Sequence, residues 1–112
     1  MFAPEQSFWL PTGVGDQAAP AACALRTIRP NPFNPMTTIT MALPRSERVR
    51  LAVFDLRGRL VRVLVDEERA AGDHDVIWTG LDDRGHQVVS GVYVCRMAAG
   101  SFRESRRMTL VK

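Results

Sequence analysis

The chain has 112 residues and a formal net charge of +3, with 46% hydrophobic and 24% charged residues. This length suits one small domain with one core, and the composition is ordinary for a globular protein. No stretch approaches the roughly 18 unbroken apolar residues that a membrane helix requires, so no membrane insertion is expected. The arginines are scattered among acidic residues instead of forming a basic block, which argues against nucleic-acid binding.

Residues 1–23 are rich in Pro, Gly and Ala and show no sustained hydrophobic period. This composition predicts a linker or flexible N-terminal tail ahead of a domain at residues 24–112. Phe8 to Leu10 is an apolar exception that either docks loosely on the domain, which we favour, or is the end of a preceding domain. No basic region leads into an apolar run, so the N-terminus does not resemble a secretory signal. Two cysteines are too few for a disulfide scaffold, so we expect Cys95 in the core and Cys23 in the linker.

From Leu25 onwards the hydrophobic residues follow a period of two, which is typical of β-strands. The predicted strands cover Leu25 to Ile28 and the sequences TTITMALP, RVRLAVFDL, RLVRVLV, DHDVIWT, GVYVCRM and RRMTLVK. The predicted inward faces comprise Ile39, Met41, Leu43; Val49, Leu51, Val53; Val61, Val63, Val65; His74, Val76, Trp78; Tyr93, Cys95, Met97; and Met108, Leu110. No segment shows a helix period with caps, so the sequence predicts an all-β fold, an antiparallel β-sandwich of about seven strands.

Glycines mark the predicted turns. In DLRGRL and DDRGHQ, Gly58 and Gly85 occupy the position at which a type I turn followed by a left-handed residue closes a bulged hairpin. Gly100 is available for the last hairpin, and ERAAGDH predicts a longer connection that ends at Gly72.

The stretch IRPNPFNPMTTITMALP places three prolines ahead of an alternating run. Arg29, Asn31 and Asn34 each precede a proline, which bars them from helix, and prolines cannot donate ladder hydrogen bonds. We therefore expect this stretch to cross between the sheets outside any ladder. Phe33 is expected to plug the open end of the sandwich, where an aromatic side chain buries about 150 Å² or more.

The sequence offers little catalytic chemistry. It contains no nucleophile elbow, no phosphate-binding Gly-rich loop and no Cys-x-x-Cys pair, so we expect neither enzymatic activity nor a cofactor. The two histidines lack the spacing of a metal site, and Asp82 and Asp83 lack that of a calcium loop, although their carboxylates leave calcium binding open. Trp78 and Tyr93 lie at inward positions, so we expect them in the core and not on a sugar-binding platform.

The segments PNPFNPMTTITMALP, VRLAVFDLRGRLVRVLVD, AGDHDVIWTGLDDRGHQVVSGVYVCRM and ESRRMTLVK resemble a known domain type. They are similar to the C-terminal sorting domain of proteins exported by the bacterial type IX secretion system, and equally to the Ig-like domain of the flagellar hook-capping protein FlgD. The resemblance covers residues 25–112 and implies an Ig-like sandwich. It also implies a non-catalytic module that directs secretion or surface sorting, with secretion translocon components as partners. The implied location is the medium or the cell surface, reached through the periplasm.

The family's motif positions carry over onto ten residues, here called the motif residues: Pro30, Asn31, Pro32, Phe33, Gly91, Tyr93, Met108, Leu110, Val111 and Lys112. Packing would account for Gly91 turning the chain into its strand, for Tyr93 in the core and for a terminal strand that completes a sheet. Packing does not account for Lys112, which is explained either by a receptor contact or by a solvated chain end.

The chain departs from the sorting-domain pattern in two respects. It carries neither a cargo domain nor an export signal, so the resemblance implies a fragment or mis-started product whose upstream cargo domain is missing. Arg106 and Arg107 stand where the family often has a Lys-containing pair. The alternatives are a FlgD-like structural or assembly module of a flagellar hook scaffold, and an accessory carbohydrate-binding sandwich, which would need a row of exposed aromatics.

Overall fold

The computed structural model describes residues 20–112, which form seven β-strands. The strands are β1 (Ala24–Arg29), β2 (Thr37–Leu43), β3 (Glu47–Asp55), β4 (Leu60–Arg69), β5 (Gly72–Trp78), β6 (Gly91–Ala99) and β7 (Phe102–Leu110). The apolar segment Phe8 to Leu10 lies outside the described residues, as does the expected tail up to residue 19. No helix in the described part of the chain is long and apolar enough to cross a membrane.

The strands form two antiparallel sheets that pack face to face. One sheet has the order β1-β2-β5 and the other the order β4-β3-β6-β7. The all-β sandwich expected from the sequence is confirmed. Because the pairings are antiparallel, β1, β3, β5 and β7 end on the side where β2, β4 and β6 begin. We call this side, which holds residues 30–36, 56–60, 77–91 and 110–112, the motif end.

The core lies between the two sheets and follows the period-two pattern. The buried cluster comprises Leu25, Phe33, Ile39, Met41, Leu43, Val49, Leu51, Val53, Val65, Trp78, Tyr93, Cys95, Met97, Ala99, Met108 and Leu110. Half-buried Val76 packs against this cluster, and so does half-buried Cys23, directly before β1. The predicted inward faces of β2, β3, β6 and β7 are therefore confirmed, as are Val76 and Trp78 of β5 and the core position of Cys95. His74, the third predicted inward residue of β5, is half-buried outside this cluster, and its Nε2 lies 2.7 Å from Ala70 O.

The predicted inward face of β4 is wrong at Val63. Val65 pairs with Leu51, but Val63 pairs with Ala52, and the register shifts between these two pairs at Leu64. Neighbouring strand residues point to opposite faces, so Val63 lies on the outer face while Val65 lies in the core. Half-buried Val61 and Leu64 supply the other core contacts of β4. A bulge resets the period, and alternation alone does not reveal it.

Two further expectations about chain path need correction. The Pro-rich bend does not lie outside every ladder, because Phe33 forms a parallel bridge to Leu110 of β7. Proline lacks an N–H, but Phe33 retains one and uses it in this bridge. The last strand stops at Leu110 and does not reach Lys112, because the N–H groups of Val111 and Lys112 bond to Phe33 and Ser90.

The two predicted bulged turns are confirmed and share one geometry. Gly58 and Gly85 both have φ of +83°, a left-handed conformation that glycine adopts without a steric penalty. In each turn the glycine N–H donates to the carbonyl of the first aspartate, at 3.0 Å for both Asp55 and Asp82. The expected longer connection after β4 is short, since only Ala70 and Ala71 separate β4 from β5.

Candidate recognition site

Three segments that are far apart in sequence meet at the motif end. Gly91 of β6 pairs with Leu110 of β7, and Tyr93 pairs with Met108. Phe33 lies on the other side of β7, where it bridges Leu110. The motif residues therefore lie together at one end of the sandwich, with β7 in their middle. Sequence spacing alone does not reveal this juxtaposition.

The bend closes the outer edge of β7. An edge strand leaves backbone N–H and C=O groups unpaired on one side, which invites pairing with other chains. The side-chain amide of Asn31 donates to Arg107 O (3.2 Å) and accepts from Thr109 N (2.9 Å). Next along the edge, Phe33 N donates to Thr109 O and Phe33 O accepts from Val111 N, both at 2.9 Å. Asn31 and Phe33 thus take the place of a neighbouring strand, and we call residues 31–33 the edge clip.

A stack of aromatic rings lies beneath the edge clip. The ring of Trp78 lies between those of Phe33 (5.5 Å between centroids) and Tyr93 (5.4 Å), and both contacts are inclined. Such inclined contacts are favourable because a ring edge faces a ring surface. The polar atoms are also satisfied: Trp78 Nε1 donates to Leu81 O and the Tyr93 hydroxyl donates to Val89 O (2.6 Å). The plugging role expected of Phe33 agrees with its 2% exposure.

The electrostatics of this end favour a neutral Tyr93. Burial, followed by the negative charge of Asp55, raises the pKa of the Tyr93 phenol above its usual value. The hydroxyl therefore remains a hydrogen-bond donor to Val89 at physiological pH. This contact holds the segment in front of β6 in place.

Contacts with Thr37 and Gly80 also hold the Pro-rich bend in place. The hydroxyl of Thr37, which is 1% exposed, donates to Pro30 O at 2.8 Å. Gly80 is buried beside the bend, and a Cβ at this position would lie 3.1 Å from Pro35 O. Gly80 also has φ of +76°, so any side chain here would be strained. The bend therefore has a defined position on the sandwich.

Exposure divides the motif residues into two groups. Phe33, Tyr93, Met108 and Leu110 are buried, and Gly91 is half-buried with φ of +157°. Pro30, Asn31, Pro32, Val111 and Lys112 are exposed. A partner that binds from solvent can contact only the exposed group directly. The buried group acts on such binding only by shaping the surface.

Two aspartates organise the neighbouring turns: Asp55, which the sequence did not single out, and Asp82, which the sequence suggested only as a calcium ligand. Asp55 Oδ1 accepts from the N–H groups of Arg57 and Arg59, and Asp82 Oδ1 accepts from those of Arg84 and His86, all at 2.9 Å. Backbone hydrogen bonds, chiefly that from Arg59, lower the pKa of Asp55, and the bond from the backbone of His86 likewise lowers the pKa of Asp82. The signal was an Asp three residues before a turn glycine in both hairpins.

The two carboxylates considered as calcium ligands already accept hydrogen bonds from the backbone of the domain. Asp82 closes its own turn, and Asp83 Oδ1 accepts from Val63 N at 3.1 Å while Asp83 N donates to Val61 O. In residues 20–112 no group of three or more His, Cys, Asp or Glu residues has the geometry to hold a metal ion. In this region the loop at Asp83 covers the outer edge of β4, as the edge clip covers that of β7.

None of the aromatic residues among residues 20–112 is exposed. Phe33, Trp78 and Tyr93 are buried, while Phe54 and Phe102 are half-buried. Arg96 also covers Phe54, with its guanidinium carbon 4.9 Å from the ring centroid. A row of open ring faces, which carbohydrate binding would need, is thus missing from the described part of the chain.

Sequence comparison identifies the family. A profile of the FlgD Ig-like domain matches residues 34–101. The chain belongs to the FlgD Ig-like domain family. The match includes β2 to β6 but neither the edge clip nor β7, so the family assignment rests on the central strands of this Ig-like domain. The comparison with curated proteins gives no match.

Solved structures show the same fold at low sequence identity. Dimeric latent PorU from Porphyromonas gingivalis is 20% identical with a TM-score of 0.64, and the similarity covers 76% of this chain and 9% of PorU. PorZ, an essential surface component of the type IX secretion system of P. gingivalis, is 20% identical with a TM-score of 0.55. This similarity covers 77% of this chain and 11% of PorZ. FlgD from P. aeruginosa is 23% identical with a TM-score of 0.50, and the similarity covers 66% of this chain and 58% of FlgD. The chain therefore spans only about a tenth of PorU and PorZ.

Proposed function

We propose that this Ig-like domain is a non-catalytic module that directs a protein to secretion or to the bacterial cell surface through a type IX-like system. The observation that supports it is the convergence of all the motif residues at one end of the sandwich. PorZ, which has the same fold, also supports this role, because it is an essential surface component of the type IX secretion system of P. gingivalis. The partners would be components of the secretion translocon.

The proposed contact surface consists of the exposed motif residues. Asn31 has both ends of its amide engaged with β7, so it positions the edge clip. Lys112 bonds to Ser90 only through its backbone N–H, at 3.0 Å, and its side chain is exposed. Pro30, Pro32 and Val111 are exposed apolar residues at the same end of the domain. A cationic side chain near exposed apolar residues is suited to specific protein recognition. Burying the apolar residues favours binding, and the charge selects a partner of opposite charge.

The direct test is a secretion assay with the full chain fused behind an exported reporter. The fusion is expressed in a host with a working type IX translocon and in a host that lacks it. We expect the reporter at the surface or in the medium only in the first host. A folded fusion that stays in the periplasm of both hosts would contradict the proposal.

The second candidate is a structural or assembly module like that of the hook-capping protein. It is favoured by the family profile, which is that of the FlgD Ig-like domain and covers β2 to β6. In this case the fusion would remain in the periplasm in both hosts. The full chain would then be expected to co-purify with flagellar hook components from a flagellated host and to lose that association when its outer sheet faces are altered.

A further inference from the structure

Among residues 20–112, large hydrophobic side chains are exposed at one end of the domain only. In the described part of the chain they are Met36, Leu56, Leu60, Ile77, Val89 and Val111, with exposures between 45% and 77%. Each lies at or next to a strand boundary on the motif end. We call these six residues the apolar patch. Scattered exposed apolar residues need no explanation, but their confinement to one end indicates a binding surface.

The opposite end has a different character. Its strand ends and connections carry Arg45, Glu47, Glu67, Glu68, Arg69 and Asp73, with ion pairs such as Arg45 with Glu47 and Arg69 with Glu67. Residues 20–23 enter the sandwich from this side, because Ala24 pairs with Ala42 near the end of β2. The apolar patch therefore faces away from the point where the preceding chain is attached.

Two residues of the apolar patch, Leu56 and Val89, line a concave groove. An open groove of about 440 Å³ lies between the turn at residues 55–61 and the segment 88–93, with Leu56, Val61, Val88 and Val89 along its walls. It continues into a second groove of about 340 Å³ beside Asp82 and Asp83. A concave apolar site accommodates protruding side chains of a partner.

The groove walls are held rigidly. Val89 is 77% exposed, yet its carbonyl accepts from the Tyr93 hydroxyl and the adjacent Ser90 accepts from the backbone N–H of Lys112. Leu56 is 63% exposed on a turn that Asp55 fixes through backbone hydrogen bonds. A backbone that is already held in place loses little entropy on binding, so these positions are favourable contact points.

The rim of the apolar patch is basic. Arg29, Arg57, Arg84 and Lys112 lie at this end, and none has an ion pair within residues 20–112. Among the acidic residues of the same region, Asp55 and Asp82 accept backbone hydrogen bonds inside their turns, and Asp83 accepts one from Val63 of β4. Positive charge is therefore left for an external partner, and a complementary surface would be acidic.

We infer that the apolar patch is the docking surface for a separate protein that presents an apolar centre and an acidic rim. This inference rests on the proposed function, since that protein would be the component that receives the domain. The groove is concave, and the described residues include no exposed aromatic ring. Surfaces that bind a bilayer typically insert aromatic and other apolar side chains into it, so these features favour a protein partner.

The test maps binding on the full chain by NMR, with a synthetic peptide of alternating leucine and glutamate as the probe. We expect amide shifts confined to the motif end and binding weakened about tenfold when lysine replaces glutamate in the peptide. The double variant Leu56→Ser/Val89→Ser should lose binding to a similar degree. The matched control is Val63→Ser/Val94→Ser, which changes two half-buried valines on the outer face of the four-stranded sheet and should bind like the parent.

Other results would overturn the inference. Shifts spread over both ends, or equal binding of the two peptides, would contradict a complementary docking surface. Stronger binding to phosphatidylglycerol vesicles that the same double variant abolishes would assign the patch to a lipid surface. If Trp9→Ser in the free chain shifted the Leu56 and Val89 amides, the occupant would be the chain's own N-terminal segment.

The secretion assay separates this inference from the proposed function. If the parent fusion is exported and the folded Leu56→Ser/Val89→Ser fusion is exported equally well, the docking surface lies elsewhere while the proposed function stands. If the parent fusion is not exported, the proposed function fails, and the peptide mapping still decides whether the patch binds a protein surface. We expect the double variant to reduce export about tenfold.

Discussion

Asn31 shows how one side chain fixes the edge of a sheet. Its amide makes two hydrogen bonds to the backbone of β7, and each such bond contributes about 0.5–1.5 kcal/mol net. We expect Asn31→Ala to lower the free energy of unfolding by about 1–2 kcal/mol, measured by urea denaturation. Asn34→Ala is the matched control, because Asn34 is an exposed asparagine in the same bend. Equal stability of the two variants would show that the edge clip does not depend on the Asn31 amide.

Trp78 is the central ring of the aromatic stack and is fully buried. Emptying a buried tryptophan site costs about 3–5 kcal/mol, a large part of the 5–15 kcal/mol that holds a typical domain folded. We expect Trp78→Ala to lose this much by chemical denaturation, while Trp78→Phe loses less because it keeps a ring in the stack. A Trp78→Ala variant that melts like the parent would contradict the packing described here.

The two cysteines should differ in reactivity. Burial raises the pKa of the Cys95 thiol to about 12, so the reactive thiolate is almost absent at pH 8. Cys23 is half-buried ahead of β1. We expect a disulfide-exchange reagent to titrate one thiol in the native protein and two in denaturant. Fast reaction of both thiols under native conditions would contradict the buried position of Cys95.

Single residues also mark what the sequence could predict. The inward positions of Trp78, Tyr93 and Cys95 follow from alternation, which is a local property. The pairing of Asn31 with β7 does not, because its partners lie 76 and 78 positions away along the chain. Contacts over such separations depend on the finished topology, which no short sequence pattern encodes.

At the scale of elements, the two aspartate turns make the free energy of unfolding depend on pH in the acidic range. The pKa values of Asp55 and Asp82 are lowered in the folded state, so their contribution to stability is full above the unfolded value of about 4. It is lost as the pH falls through the folded-state value. Between about pH 5 and pH 2.5, we expect the free energy of unfolding of the double variant Asp55→Asn/Asp82→Asn to fall less than that of the parent. Asparagine accepts the same hydrogen bonds but does not titrate.

The control for this acid dependence is Asp73→Asn, which removes an exposed carboxylate outside the turns. It should follow the pH dependence of the parent closely. Identical acid profiles for the turn double variant and the parent would show that these aspartates do not link proton binding to folding. The measurement is chemical denaturation at a series of pH values.

Strands with regular pairing were predictable as elements, and irregular ones were not. β2 and β6 show unbroken register with their partners β5 and β7, so a simple period of two placed their inward faces correctly. β4 has two register shifts against β3, which moved Val63 to the outer face. A bulge adds one residue where the sheet must twist, and this need comes from the sheet as a whole.

At the scale of the whole molecule, the domain has two chemically different ends. The motif end combines the edge clip, the exposed motif residues and the apolar patch, while the opposite end is charged and receives the preceding chain. Removing residues 107–112 to test function would also remove buried Met108 and Leu110. We expect such a truncation to unfold the domain, as a loss of the cooperative thermal transition would show. Function is therefore better tested with point variants at exposed positions.

The most direct test of the account compares Lys112→Ala with Arg45→Ala in the type IX secretion assay, with melting temperatures measured for both. Each variant removes one exposed cation, Lys112 at the motif end and Arg45 at the opposite end. We predict unchanged melting for both and reduced export for Lys112→Ala alone. Equal export of the two variants in a host that secretes the parent would contradict recognition through Lys112 at the motif end.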